Sequence, residues 1–118
     1  MSGMNINPNR RVLRVLLGMK SRIIDAEVKL LAEGKTDDAE ELENCIDRLD
    51  DLIRKLRKNI LNDWLSKVDN LRTNIGQINS EVEEAVENIK DDIETAKSVV
   101  KLVGYVDDAV EAAAKVFV

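Results

Sequence analysis

Apolar residues recur every third or fourth position from Leu42 almost to the end of the chain. The series reads Leu42, Ile46, Leu49, Ile53, Leu56, Ile60, Trp64, Val68, Leu71, Ile75, Ile78, Val82, Ala85, Ile89, Ile93, Ala96, Val100, Val103, Val106, Val110, Ala113 and Phe117. This is the period of an α-helix with one buried face. A shorter stretch before it, with Val12, Leu13, Leu16, Leu17, Met19, Ile23, Ile24, Leu30 and Leu31, keeps the same period. The pattern predicts an all-α chain.

Helix-stop and helix-start residues divide the pattern. Gly34 suits a left-handed C-terminal cap, and Thr36 or Asp37 an N-cap, with Asp37 and Glu40 at capping-box spacing. Residues 73–80 combine Gly, two Asn, Thr and Ser, the weakest helical stretch in the chain. Ser80 and Glu83 repeat the capping-box spacing there, while Ile75 and Ile78 keep the apolar ladder in phase, so a single unbroken helix is the alternative to a break at this point. The expected elements are a flexible lead at 1–8 and one helical domain at 9–118, with helices at about 9–33, 37–73 and 80–117. Gly104 is a candidate kink that would set 105–117 apart. The fold expected is a long antiparallel helical hairpin with a shorter N-terminal helix against it, a coiled-coil-like three-helix bundle. Each hairpin arm would be about 55 Å long at ~1.5 Å per residue. The first helix covers only part of that length, and the apolar surface left over predicts closure by self-association.

Charge is segregated along the chain. Residues 9–35 hold seven basic and three acidic side chains, 36–52 one and eight, 53–72 six and two, and 73–118 four and ten. Folding the chain about residue 76 would set the basic block 53–72 beside the acidic block 81–100, and would discourage other registers. The net charge of −5 with only 3 % aromatic residues argues against nucleic-acid binding, which favours basic surfaces and stacking rings. No run of uncharged apolar residues is long enough for a single-helix membrane span, and no signal peptide is visible.

Candidate chemistry is sparse. The chain has no His, which removes Ser-His and Cys-His catalysis and the Glu-x-x-His ligands of di-iron bundles. Glu84, Glu87, Asp91 and Glu94 would share one helical face and read as a solvated, partly paired row. Gly34-Lys35-Thr36 resembles the end of a phosphate loop, but Lys29 stands where its first Gly is required. Cys45, the only cysteine, reads as a small, half-buried apolar residue and fits a reducing, cytoplasmic setting. No catalytic, metal-binding or cofactor-binding set is expected.

Two surfaces stand out as candidates for contact. Arg10, Arg11 and Arg14 form a basic patch at the start of the first helix, against that helix's own dipole. Such a patch could meet an acidic partner, a phosphate, or the acidic face of another helix or subunit. Trp64, Val99, Val103, Val106, Val110 and Phe117 form a candidate interface, because the tail 99–118 is apolar around most of its circumference. The expected function is that of a non-enzymatic interaction or assembly protein working through helix–helix contacts, with itself or another helical protein. Two alternatives are a membrane-active protein whose tail docks on lipid, and a small acidic effector that blocks a basic partner surface.

Overall fold

The computed structural model of the chain describes residues 8–58 and 65–115. The expected lead at 1–8 therefore lies almost wholly outside the described residues, as do Trp64 and Phe117. The described chain is all-helical, with four helices rather than three: α1 Pro8–Ala32, α2 Thr36–Lys58, α3 Leu65–Lys90 and α4 Thr95–Ala114. At ~1.5 Å per residue these are rods of about 30–39 Å, well short of the 55 Å arms expected.

Each rod buries a seam with the alternating three- and four-residue steps of coiled-coil packing. The seams are Val12, Leu16, Met19, Ile23, Ala26 and Leu30 in α1, and Leu42, Cys45, Leu49, Leu52 and Leu56 in α2. In α3 they are Leu71, Ile75, half-buried Ile78, Val82, Ala85 and Ile89, and in α4 Val99, Leu102, Val106, Ala109 and Ala113. Four matched seams close one core, in the manner of four-helix bundles.

Ion pairs fix the directions. Lys20 Nζ meets Asp50 Oδ1 at 2.5 Å, and the next turns of α1 lie beside earlier turns of α2, so these two helices are antiparallel. Arg22 Nη2 reaches Glu83 Oε1 at 3.2 Å and Lys29 Nζ reaches Asp92 Oδ1 at 2.7 Å, so α1 and α3 advance together. Arg48 pairs with Asp107, and grooves between α2 and α4 set Asp38 beside Val99 and Lys55 beside Ala114. These helices are parallel too. Two antiparallel hairpins, α1–α2 and α3–α4, thus lie side by side with parallel neighbours, and α1/α4 and α2/α3 are the diagonals, whose backbones do not come close among the described residues.

The expected break at residues 74–80 is absent: this stretch is the middle of α3. Ser80 does not cap a helix there. Its hydroxyl donates to the Gly76 carbonyl one turn back, at 3.3 Å, a bond made inside helices. Asn79 Nδ2 donates to Glu83 Oε1 at 3.2 Å, which in turn meets Arg22. Burial of Leu71, Ile75 and Val82 on the seam overrides the weak local propensity. Gly104 likewise lies inside an uninterrupted α4.

The chain bends instead at residues 91–94, inside the stretch expected to be the third helix. Ile93 N–H donates to Asn88 O at 2.8 Å and Asp92 N–H to Ile89 O at 3.3 Å, with Asp92 left-handed at φ 58°. That is a Schellman cap with Asp at the position usually held by Gly. Glu94, at φ 45°, is left-handed as well, and the buried Ser98 hydroxyl donates to the Ile93 carbonyl at 3.4 Å. The extra bend removes the reason for expecting a bare ladder, because the ladder folds onto itself.

Candidate functional site

Most of the candidate interface in the tail belongs to the core. Val99 and Val106 are buried in the seam of α4, and Val103 and Val110 pack against it half-buried. The seam passes through Val99 and Leu102 and not through Val100, which is 72 % exposed. Val100 borders a surface groove of about 300 Å³ between α2 and α4, lined also by Asp38, Glu41, Val99 and Val103.

Cys45 is fully buried rather than half-buried, and it is Ile46 that sits at the margin of the core. Burial pushes its thiol above the ordinary range. Arg48 Nη2, 3.8 Å from the sulfur, opposes that shift. A thiol held protonated and away from solvent is a packing group, not a nucleophile. The carboxylate row dissolves: Glu84 and Glu87 are exposed on α3, while Asp91 and Glu94 belong to the bend. No group of three His, Cys, Asp or Glu side chains among the described residues is placed to hold a metal ion. No helix among them is long and apolar enough to cross a membrane.

Among the described residues, exposed apolar side chains cluster on α1, apart from Ile93 at the second bend and Val100 on α4. Val28 is 58 % exposed and Leu31 53 %, Leu17 is also exposed, and Ile24 is half-buried. These four lie along the side of α1 that turns away from the seam towards the outer edge of α2. They were legible as part of the apolar face of the first helix. Their exposure was not, because a broad apolar stripe does not say which part of it the other helices cover.

The charges around this strip are placed by the helix directions. Because α1 and α2 are antiparallel, exposed Arg10, Arg11 and Arg14 at the start of α1 share one end of the bundle with the basic last turns of α2, Arg54, Lys55, Arg57 and Lys58. The basic block therefore does not lie along residues 81–100, as a bend at 76 would require. Those acids meet α1 instead, through Arg22 and Lys29.

The opposite end of the α1/α2 face is acidic. Glu27 is raised above the ordinary carboxylate value, first by burial and then by repulsion from Glu43 and Asp47. No cation among the described residues pairs with these three carboxylates. Lys29 gathers a second acidic group. Its ammonium donates to Asp92 Oδ1 at 2.7 Å, to Glu33 Oε2 at 3.2 Å and to the Ile89 carbonyl at 3.1 Å. The hydrogen bond to Asp92 raises the Lys29 pKa and lowers that of Asp92. A cation on the last carbonyls of α3 also complements that helix's dipole, so Lys29 ties α1 to the second bend.

No protein family matches the chain, and neither a curated protein nor a solved structure matches it.

Proposed function

We propose that the protein is a non-enzymatic interaction or assembly protein that works through helix–helix contacts, with another copy of itself or with another helical protein. The supporting observation is the strip Leu17, Ile24, Val28 and Leu31, left on the outside of a bundle whose core is already filled by the other face of α1. A helix needed only to close the bundle would carry polar residues there. Exposed aliphatic surface forgoes about 25 cal/mol per Å² until something covers it. Replacing Val28 by Glu and Leu31 by Lys should leave the melting temperature within about 2 °C and abolish association in sedimentation. A variant that keeps every association of the wild-type protein removes this reading.

A second reading, an acidic effector, draws on Glu27, Glu43 and Asp47, which pair with no cation among the described residues. It would give a one-to-one complex with a basic protein that dissociates as salt rises. The membrane reading loses its main support, because the tail's Val99, Leu102 and Val106 fill the core.

A further inference from the structure

The exposed strip of α1 is regular. Leu17, Ser21, Ile24, Val28 and Leu31 follow one another at steps of four, three, four and three residues. That is the a/d spacing of a coiled-coil seam. Ile24 is half-buried and the other four are exposed. The helix thus carries two seams, one filled by the bundle and one open. At ~1.5 Å per residue the open seam is about 21 Å long, the length of four turns of a partner helix.

The flanks of the open seam are acidic. Each residue turns a helix by about 100°, so Asp25 and Glu27 fall on opposite sides of the line through Ile24 and Val28. From these two positions coiled coils choose a partner by charge. On the Glu27 side α2 adds to the effect. Its Glu43 and Asp47 stand close enough to Glu27 to join burial, the larger cause, in pushing that carboxyl above its ordinary value. Between Leu17 and Leu31 the one base at a flanking position is Lys20, and Asp50 already holds it at 2.5 Å. Whatever covers Ile24, Val28 and Leu31 therefore sets its own flanks against Asp25, Glu27, Glu43 and Asp47.

Resting on the interaction reading above, we propose that the open seam of α1 docks an amphipathic helix of another protein, with aliphatic residues along its seam and lysine or arginine along the flank that faces α2. Its apolar side chains cover Ile24, Val28 and Leu31, and its cations meet Glu27, Glu43 and Asp47. Towards the start of α1 the same spacing continues through Arg14 and Arg10. Arginines there suit the negative C-terminal end of the incoming helix, and the carboxylates suit its positive N-terminal end, so it runs antiparallel to α1. A second copy of α1 does not supply the complementary charge, because it carries Asp25 and Glu27 at the same flanks. An anionic lipid surface repels them.

The probes are two designed peptides of about three heptads, both with leucine at the seam positions, one with lysine and the other with glutamate at the flanks. Binding to the full chain is read by fluorescence anisotropy from about 1 to 100 µM. Circular dichroism confirms folding, and sedimentation follows self-association. The lysine peptide should bind, and the glutamate peptide should bind at least about tenfold more weakly. Glu27→Lys and Asp47→Lys should each weaken the first peptide about threefold or more and strengthen the second. Glu84→Lys on the exposed side of α3 changes the net charge equally, and it should leave both affinities unchanged. That control separates a docked flank from general attraction, and an equal effect of all three reversals overturns the proposal. Val28→Asn should abolish binding. If the two peptides bind alike and Val28→Asn removes both, the basic partner is overturned while the interaction face stands. A chain that pairs with its own copy through Val28 and ignores the lysine peptide does the same. If binding survives Val28→Asn, or if the chain binds neither peptide nor its copy, the proposal and the interaction reading fall together.

Discussion

The two hairpin bends of this bundle close with the same pair of backbone hydrogen bonds and are stabilised in different ways. At the first, Lys35 N–H donates to Leu30 O at 2.9 Å and Gly34 N–H to Leu31 O at 3.1 Å, with Gly34 at φ 75°. At the second, Ile93 and Asp92 make the equivalent bonds, but the left-handed positions fall on Asp92 and Glu94. Glycine takes that conformation at little steric cost, while other residues lose roughly 1–2 kcal/mol. The first bend is therefore local: its own sequence suffices. The second is held from outside, by Lys29 of α1 on Asp92 and the Ile89 carbonyl and by the seam of α4. One kind of cap can be written in a single residue or distributed over three helices.

Disturbing that support breaks the contrast most strongly. Val106→Asp puts an unpaired carboxylate in the seam of α4 and should cost on the order of 4 kcal/mol or more, or prevent folding. Val100→Asp, on the exposed side of the same helix, should change stability by less than about 0.5 kcal/mol. Urea midpoints of the two variants measure the difference, and equal effects would mean that α4 is not seated by the seam described.

Gly34→Ala comes next, with an expected loss of about 1–2 kcal/mol, since an alanine at this φ is strained although nothing crowds its Cβ. At the second bend, Lys29→Met should lower the melting temperature. Asp92→Gly should then be more favourable in the Lys29→Met background than in the wild type, because the ion pair it would break is already gone. Additive effects of the two changes would mean that Lys29 does not hold the bend.

Acidification sharpens the same comparison. Asp92 titrates below its ordinary value of 3.8 because Lys29 hydrogen-bonds its carboxylate. Its contribution is complete above that value and is lost as pH falls through the depressed folded pKa. Glu27 acts with opposite sign. Its folded pKa lies above 4.5, so its contribution is complete below 4.5 and is lost as pH rises through the raised value. Denaturation midpoints followed from about pH 6 to pH 2 should show the Asp92 component vanish in Lys29→Met. The Glu27 component should vanish in Glu27→Gln.

The smallest effect is Gly76→Ala, which should stabilise by about 0.5–1 kcal/mol, since Gly76 is an exposed interior position of α3 with open space around its Cβ. A loss of stability would restore a bend at this point.

These two positions also show how far the sequence could be read. Gly34 declared the first bend because a left-handed cap favours one residue type. Asp92 declared nothing, because its support comes from Lys29, 63 residues earlier. The ladder through Ile89, Ile93 and Ala96 even keeps helical phase across the bend. Residues 74–80 pointed both ways: their propensities are weak while Ile75 and Ile78 keep the ladder in phase, and the packing of Ile75 and Val82 decides for helix. Helical class and most core residues follow from periodicity alone. The pairing of helices does not, and it decides which apolar residues stay outside. Val99 and Val106 were drawn into the core by the bend at 91–94, and Val28 and Leu31 were left on the surface by the position of α2.

The buried sulfur of Cys45 gives this bundle a built-in clock. It is the chain's only thiol, and it lies inside the α2 seam beside the Arg48 that bridges to Asp107 of α4. A water-soluble thiol reagent cannot reach it until α2 parts from its neighbours. At moderate reagent concentration the labelling rate, divided by that of an unfolded chain, gives the equilibrium constant for that parting. Measured beside global unfolding, it tells whether the two hairpins separate as halves or the whole bundle opens at once.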